Sequence, residues 1–216
     1  MKKIPHSHQD AFTMIELLLV IIILGILAAM ALPRLDRDIR QEAADNILSA
    51  IRYTKHLALM DNKVSPEQSD WQKKWWGIYF TGGLHPYYKV CTDDNRNGAL
   101  SKEECAIEPS TGKYLYNSSG VFANRAPDES PSIFIGDNYD INSISFAGGC
   151  NGTQHIAFDH LGRPFVGITS AGNDYATYMS NDCTITFGFN SNDISDLKIV
   201  IEKQTGHTYI VGQPNS

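Results

Sequence analysis

Residues 12–33 read FTMIELLLVIIILGILAAMALP, and this stretch decides how the rest of the chain is organised. Every residue from 17 to 32 is apolar. Counted from Phe12, the run is about long enough to cross ~30 Å of membrane hydrocarbon as a helix. Glu16 is the exception, because a lone carboxylate in lipid is costly and needs a partner. The sequence therefore predicts a membrane-spanning helical segment over 12–33, with one charge that requires a counter-charge.

The residues around this run resemble the signal of type IV pilins and type II secretion pseudopilins. A short leader, MKKIPHSHQDA (residues 1–11), precedes the run. In that family a prepilin peptidase cuts before a Phe, the new amino group is methylated, and a Glu follows four residues later. The resemblance implies cleavage between Ala11 and Phe12, N-methylation of Phe12, and assembly roles for Glu16 and Pro33. Ala11 departs from the Gly that the family usually has before the cut.

Two other interpretations of the segment compete with this resemblance. A plain signal anchor explains the apolar run but leaves Glu16 without a role. A secretory signal peptide is favoured by Ala29-Met30-Ala31, which has the small-x-small form of a cleavage site and would release a protein starting at Leu32. Both fit poorly with a carboxylate inside the apolar run, so the pilin-like interpretation ranks first.

The helical period continues beyond Pro33 to about Asp61. Apolar and small residues recur at three- and four-residue steps, whereas charged residues occupy other faces. The stripe comprises Leu35, Ile39, Ala43, Ala44, Ile47, Leu48, Ile51, Thr54 and Ala58. The sequence thus predicts one long helix over 12–61, which Pro33 kinks or loosens by removing a backbone hydrogen bond. Its second half should bury the stripe against a globular domain.

The remaining residues, 62–216, have the pattern of a β domain. WWGIYF (75–80) and PYYKVC (86–91) predict a hairpin, and period-two alternation returns in the strands up to LKIVIE (197–202) and HTYIV (207–211). The stretch 107–140 is polar and predicts no strand. Such alternation suits an antiparallel sheet with one face on the helix. The predicted fold class is α+β: a long N-terminal helix, its first half membrane-spanning, packed on a pilin-like antiparallel sheet.

Three further segments resemble H-type minor pseudopilins and related minor pilins. They are IRYTKHLAL (51–59) in the helix, IAFDHLGRP (156–164), and LKIVIEKQTGHTYIV (197–211) at the final hairpin. This resemblance favours a minor over a major subunit.

Residues 93–104, DDNRNGALSKEE, fit the calcium-loop pattern D-x-[DN]-x-[DN]-G-x5-E without a gap. Gly98 permits the sharp turn, and calcium accepts several hard oxygens in forgiving geometry. The oxygens would come from Asp93, Asn95, Asn97, the Ala99 carbonyl, a water held by Ser101, and a bidentate Glu104. The preceding YYKVC predicts a strand rather than a helix. We therefore predict a structural calcium site in this segment, called the calcium-type loop below; the alternative is a solvated polar turn.

Four cysteines behind an export signal predict two disulfides in an oxidising compartment. Three pairings are possible. Cys91 and Cys105 bracket the calcium-type loop, so a bond between them would hold its ligands together. Cys150 and Cys183 would then join two segments of the sheet. Zinc or redox chemistry is the rival, but the chain has no CxxC pair.

Charge and motifs exclude several classes of function. Without the leader the chain carries 16 basic and 23 acidic residues, a net charge of −7, which makes nucleic-acid binding an unfavourable prediction. His155, Asp159 and His160 could suggest a metal or catalytic site. On a strand the two histidines point to opposite faces, so exposed turn residues are the favoured interpretation. No nucleophile elbow or phosphate loop is present, and the sequence predicts no enzyme.

These observations predict a structural subunit: a minor pilin or pseudopilin of a type II secretion pseudopilus or a type IV pilus. It would cross the bacterial inner membrane once, with its C-terminal domain in the periplasm. The resemblance implies as partners the prepilin peptidase, other pilin subunits, and an assembly platform with its ATPase. The alternative is a minor pilin that captures a ligand or DNA at a pilus tip.

Overall fold

A single long helix, α1, spans Met14–Met60 and starts one residue after the first residue that the structure describes. The computed structural model describes residues 13–169 and 177–213, and it describes only the backbone of residues 29–38. By compactness the chain divides into two units, with the boundary between Asp38 and Ile39. Helix α1 therefore begins in the first unit and ends in the second. The predicted leader and cleavage position lie outside the described residues.

The second unit contains the strands and one further short helix. In chain order the elements are β1 (Trp76–Thr81), β2 (Tyr87–Cys91), α2 (Ile135–Tyr139), β3 (Ile141–Gly148), β4 (His155–Phe158), β5 (Pro164–Phe165), β6 (Cys183–Phe189), β7 (Leu197–Ile201) and β8 (Thr208–Ile210). Short 3₁₀ turns lie between them, among them Trp71–Lys74 and Lys102–Glu104.

The strands form two antiparallel sheets of four strands each. The first has the order β2-β1-β4-β5 and the second has the order β3-β6-β7-β8. Both predicted hairpins are present, with Ile78 opposite Val90 in β1–β2 and Ile199 opposite Ile210 in β7–β8. The predicted α+β fold class is confirmed, with the difference that the strands divide into two sheets.

One face of α1 fills the core of the second unit, as the helical period predicts. Ile47 and Ile51 are fully buried, and the hydroxyl of buried Thr54 donates to the Ala50 carbonyl at 2.8 Å. Alternate strand residues from both sheets enter the same core, because side chains on a strand point to opposite faces in turn. These include Ile78, Phe80, Tyr88, Val90, Ile156 and Phe158 of the first sheet and Ile185, Phe187, Leu197, Ile199 and Ile201 of the second.

Polar side chains of α1 also reach both sheets. The Arg52 guanidinium donates to the Thr208 carbonyl at 2.9 Å, next to the second sheet. The Tyr88 hydroxyl of the first sheet donates to the Asn46 side-chain oxygen at 3.3 Å. The helix is thus joined to each sheet by hydrogen bonds at the edge of the apolar contact.

The stretch 107–140, predicted to be only a polar connection, supplies Leu115 and a run of three apolar residues to the core. Ile133, Phe134 and Ile135 are fully buried, where a 3₁₀ turn (Pro131–Ile133) leads into α2. A short apolar triplet among prolines and serines has no period of its own, so the sequence did not indicate it. Trp71 and Trp75 are buried in a second, smaller apolar cluster with Ala157, Phe165 and Ile168.

The described part of the first unit presents an apolar surface. Every described side chain from 13 to 28 is exposed, including a continuous series of Leu, Ile and Val. Among the residues that the structure describes, no helix combines the length and the apolar character needed to cross a membrane. The predicted kink at Pro33 stays a prediction.

Truncating a buried residue of the α1 stripe should destabilise the second unit strongly. Ile51→Ala removes a fully buried side chain, and such changes lower the free energy of unfolding by about 2–5 kcal/mol. Leu59→Ala, two turns further along the helix, removes a side chain that is 47% exposed and should lower it by about 1 kcal/mol or less. Denaturant unfolding of the full chain in detergent, followed by tryptophan fluorescence, measures both. Equal losses would contradict the burial of this face.

Candidate functional site

Glu16 is held at the start of α1 by Thr13. The Thr13 amide and hydroxyl both donate to Glu16 Oε2, at 2.9 and 2.8 Å, and the Glu16 amide donates to the Thr13 hydroxyl at 3.3 Å. This is a capping box, in which residue types Thr and Glu three apart satisfy the unpaired amides of a helix start. The sequence signal for this cap is T-x-x-E at residues 13–16. Ala11 and Phe12 lie outside the described residues, and Pro33 lies within α1.

The calcium-type loop begins two residues after β2 and returns to the same place. The structure pairs Cys91 with Cys105 in one disulfide. Next to it the Thr92 amide donates to the Glu104 carbonyl at 2.9 Å, so the chain is closed at both ends of the loop. A strand precedes the loop, and the last three residues of the loop form a 3₁₀ turn (Lys102–Glu104). A base closed by a disulfide therefore stands where an EF-hand loop has its long flanking helices.

Asp93, the first predicted ligand, is buried inside this base. Only 4% of the residue is exposed. Its Oδ2 accepts a hydrogen bond from the Gly98 amide at 2.9 Å, across the loop. Its Oδ1 is fully buried and has no hydrogen-bond partner among the described residues. Gly98 has φ +82°, a conformation that favours glycine, which explains the glycine at the sixth loop position.

Asn95 and Asn97 fold their side chains back onto the loop. Asn95 Oδ1 accepts from the Asn97 amide at 2.9 Å, and Asn97 Oδ1 accepts from the Ala99 amide at 2.7 Å. These turns set the loop's curvature and keep both amide oxygens within it. Each carbonyl-type oxygen has a second lone pair that remains open to a cation.

Glu104, the last predicted ligand, accepts hydrogen bonds from residues earlier in the loop. Its Oε1 accepts from the Asn95 amide at 3.1 Å, and its Oε2 accepts from the amide and the hydroxyl of Ser101 at 3.1 and 3.0 Å. Burial acts to raise the pKa of Glu104, but these hydrogen bonds together hold it below its usual range. The carboxylate is therefore ionised at neutral pH. Ser101, predicted to hold a water, also serves in a capping box with Glu104.

The two cations in the loop have partners elsewhere. Arg96 donates to the Ser69 carbonyl at 2.8 Å, and Lys102 lies 3.0 Å from Asp128 and 3.3 Å from Glu129. Within the described chain, neither forms an ion pair with Asp93 or Glu104. The described residues contain no group of three or more His, Cys, Asp or Glu side chains placed to hold a metal, so any site here depends on amide and carbonyl oxygens as well.

The second disulfide joins two neighbouring strands of the second sheet. Cys150 follows β3, Cys183 begins β6, and the two are bonded. Since β3 and β6 pair up to Gly148 and Cys183, the bond fixes the end of this ladder. The described chain has no free cysteine.

His155, Asp159 and His160 do not form a metal-binding group in the described structure. The interpretation of Asp159 as an exposed turn residue is wrong, because it is 1% exposed. Its carboxylate accepts from the amides of Leu161 and Arg163 at 3.0 and 2.9 Å and from the Arg163 guanidinium at 2.7 Å. Buried Asp159 thus orders the FDHLGR turn by accepting these hydrogen bonds, which the sequence pattern did not indicate.

Residues 6–32 match the family model described as the prokaryotic N-terminal methylation motif. The matched range contains Ala11, Phe12 and Glu16 and ends one residue before Pro33. It does not extend to the three segments that resemble H-type minor pseudopilins. No curated protein and no solved structure matches the chain.

Burial of His155 predicts a pH-dependent stability. Burial lowers its pKa to about 4, and its ring stacks on Tyr79 at 5.3 Å. The unfolded chain therefore takes up the proton near pH 6.5 and the folded chain only near pH 4, so stability falls as the pH falls through this window. The loss of stability from this residue should reach about 3 kcal/mol.

His155→Phe should remove this loss of stability at low pH, whereas His56→Phe, at an exposed position, should not. Unfolding midpoints between pH 4 and 7 measure this, and equal pH slopes in both variants would contradict it.

Proposed function

We propose that this protein is a type IV pilin-like subunit, a minor pilin or pseudopilin of a type IV pilus or a type II secretion pseudopilus. The observation that carries the proposal is the methylation motif at residues 6–32, which includes a Phe and a Glu at the spacing that this signal requires. The prepilin peptidase would cut the leader, and other pilins and an assembly platform would be its partners. In this proposal the protein has a structural role and no catalytic one.

The apolar surface of residues 14–28 supports this role. A helix that is apolar on every side needs cover from lipid or from other apolar helices. In a pilin-like subunit the inner membrane would cover this surface before assembly, and the helices of neighbouring subunits would cover it within the filament. The membrane assignment rests on the apolar sequence 12–33 and on the matched motif.

The contacts of Glu16 leave one carboxylate oxygen available for assembly. Both hydrogen bonds from Thr13 end on Oε2, and Oε1 has no partner among the described residues. In the proposed mechanism Oε1 accepts from the methylated amino group of Phe12 on a neighbouring subunit. That pair neutralises two charges, each of which is costly in an apolar surrounding. The capping box keeps the carboxylate at the start of the helix, where the neighbour's amino group would meet it.

Processing should produce a chain that starts with N-methyl-phenylalanine at Phe12. We expect this from mass spectrometry of the N-terminal peptide after co-expression with a prepilin peptidase, while the chain expressed without the peptidase keeps its leader. Ala11→Gly, which restores the family's usual residue, should be cut at least as fast. A mature chain that starts at Leu32 would show a secretory signal peptide instead and would remove the proposal.

Filament entry should depend on the charge of Glu16 and not on its capping bond. Glu16→Gln can still accept the capping hydrogen bonds but lacks the charge, so it should be processed and then be missing from filaments. Thr13→Ala removes the cap, which costs about 0.5–2 kcal/mol of helix stability, but it keeps the carboxylate and should enter filaments. Sheared filaments and membranes are compared by immunoblot. The pairing mechanism is refuted by normal filament entry of Glu16→Gln, or by equal exclusion of Thr13→Ala.

A further inference from the structure

We propose that the calcium-type loop binds one calcium ion, and that the bound ion fixes the connection between α1 and β1 (residues 61–75). The proposal is independent of filament assembly, because it rests only on residues of the second unit. The surroundings of Asp93 support the cation, and the contacts between the loop and residues 61–75 support what the cation would stabilise.

Two buried aspartates of the second unit differ in their hydrogen-bond partners. Asp159 is buried with the Arg163 guanidinium and two backbone amides as donors. Asp93 is equally buried, yet its Oδ1 has no donor within the described chain. A buried carboxylate oxygen without a partner is unfavourable by several kcal/mol in general, so such groups are paired or coordinate metals. Asp93 lacks the paired cation that Asp159 has.

The remaining oxygens suit a calcium ion at this place. The Gly98 amide holds Oδ2 of Asp93 across the loop, and the Asn95 amide holds Oε1 of Glu104. The two carboxylates are therefore both tied to the backbone of one short loop. The amide oxygens of Asn95 and Asn97 lie on the same loop at the spacing that calcium loops use. Hard, mostly neutral oxygens favour calcium over zinc or copper.

The loop's own cations leave this site negative. Arg96 is bound to the Ser69 carbonyl, and Lys102 is bound to Asp128 and Glu129. Within the described chain, neither cation of the loop therefore pairs with the carboxylate of Asp93 or Glu104. Because only two ligands carry a formal charge, the affinity should be in the range of extracellular modules, a dissociation constant of about 10⁻⁴–10⁻³ M.

The loop is docked on the connection that leaves α1. The Asp93 amide donates to the Lys73 carbonyl at 3.2 Å, and the Thr92 hydroxyl donates to the Lys74 carbonyl. Asp94 lies 3.4 Å from Lys63, whose ammonium also lies 3.0 Å from Asp61 at the end of the helix. An ion that fixes Asp93 thus also fixes the backbone against which residues 63–74 pack. Calcium should therefore stabilise the whole second unit and not only the loop.

The expected effect is large enough to measure as a melting shift. At calcium concentrations about 100 times the dissociation constant, the folding equilibrium shifts about 100-fold, which corresponds to about 2.7 kcal/mol. For a chain of this size the melting midpoint should rise by roughly 5–10 °C. Magnesium should substitute poorly, because it requires a smaller octahedral shell.

The test compares each ligand with its non-ligand neighbour of the same type. The full chain in detergent is melted in chelator and in roughly 10–50 mM calcium chloride, as wild type, Asp93→Asn, Asp94→Asn, Glu104→Gln and Glu103→Gln. Wild type, Asp94→Asn and Glu103→Gln should show the calcium shift, whereas Asp93→Asn and Glu104→Gln should lose most of it. Cys91→Ser/Cys105→Ser should weaken calcium binding with every oxygen ligand intact, because the base of the loop opens.

Three outcomes overturn the proposal. The first is a wild-type midpoint that calcium does not move. The second is an equal shift in Glu104→Gln and Glu103→Gln, which would show general screening of the acidic surface. The third is an equal shift with magnesium. If Asp93→Asn does not fold, calorimetric titration of calcium into Glu104→Gln and Glu103→Gln decides the question, since both residues are at least partly exposed.

Discussion

The burial of one face of α1 is the interaction on which the second unit depends. Among the described strands, none of the first sheet pairs with a strand of the second, so no hydrogen-bonded ladder joins the two sheets. The two sheets share a core instead. The ring centroids of Phe80 in the first sheet and Phe187 in the second are 5.7 Å apart, and Ile47 and Ile51 of the helix are buried in the same cluster. Apolar burial contributes roughly 25 cal/mol per Å², so this face of the helix stabilises both sheets at once.

The N-terminal part of α1 has a different pattern of exposed side chains. Apart from Glu16, its described side chains from Met14 to residue 28 are apolar, and all of them are exposed, whereas the stripe from Ala43 onward is one-sided. The chain's own domain covers the second kind of surface, whereas no described residue buries the first. This change of pattern along one helix is what a subunit needs if it is to join other copies through its N-terminal end and keep a folded domain outside. The Thr13–Glu16 capping box places a carboxylate where that joining would begin.

Two buried acids in the second unit differ in how their oxygens are satisfied. Asp159 and Asp93 are both buried acids, but the first is satisfied by Arg163 and the second retains an oxygen without a donor. A satisfied buried acid orders a turn, and an unsatisfied one attracts a cation. The Cys91–Cys105 bond closes the base of the loop without any ion, and in the proposed calcium site it would lower the entropy lost on coordination.

Local period and spacing were enough to predict the long helix and the two hairpins from the sequence. They were also enough to identify the methylation motif and the residue pattern of the calcium-type loop. The sequence also contained the T-x-x-E signal that caps the helix. The division into two sheets, the burial of Ile133–Ile135 and the Arg163 partner of Asp159 became visible only in the tertiary structure. The backbone contact of Asp93 with Lys73, twenty positions earlier in the chain, also became visible only there. Burial and hydrogen-bond satisfaction are decided by segments distant in sequence, and no local pattern records them.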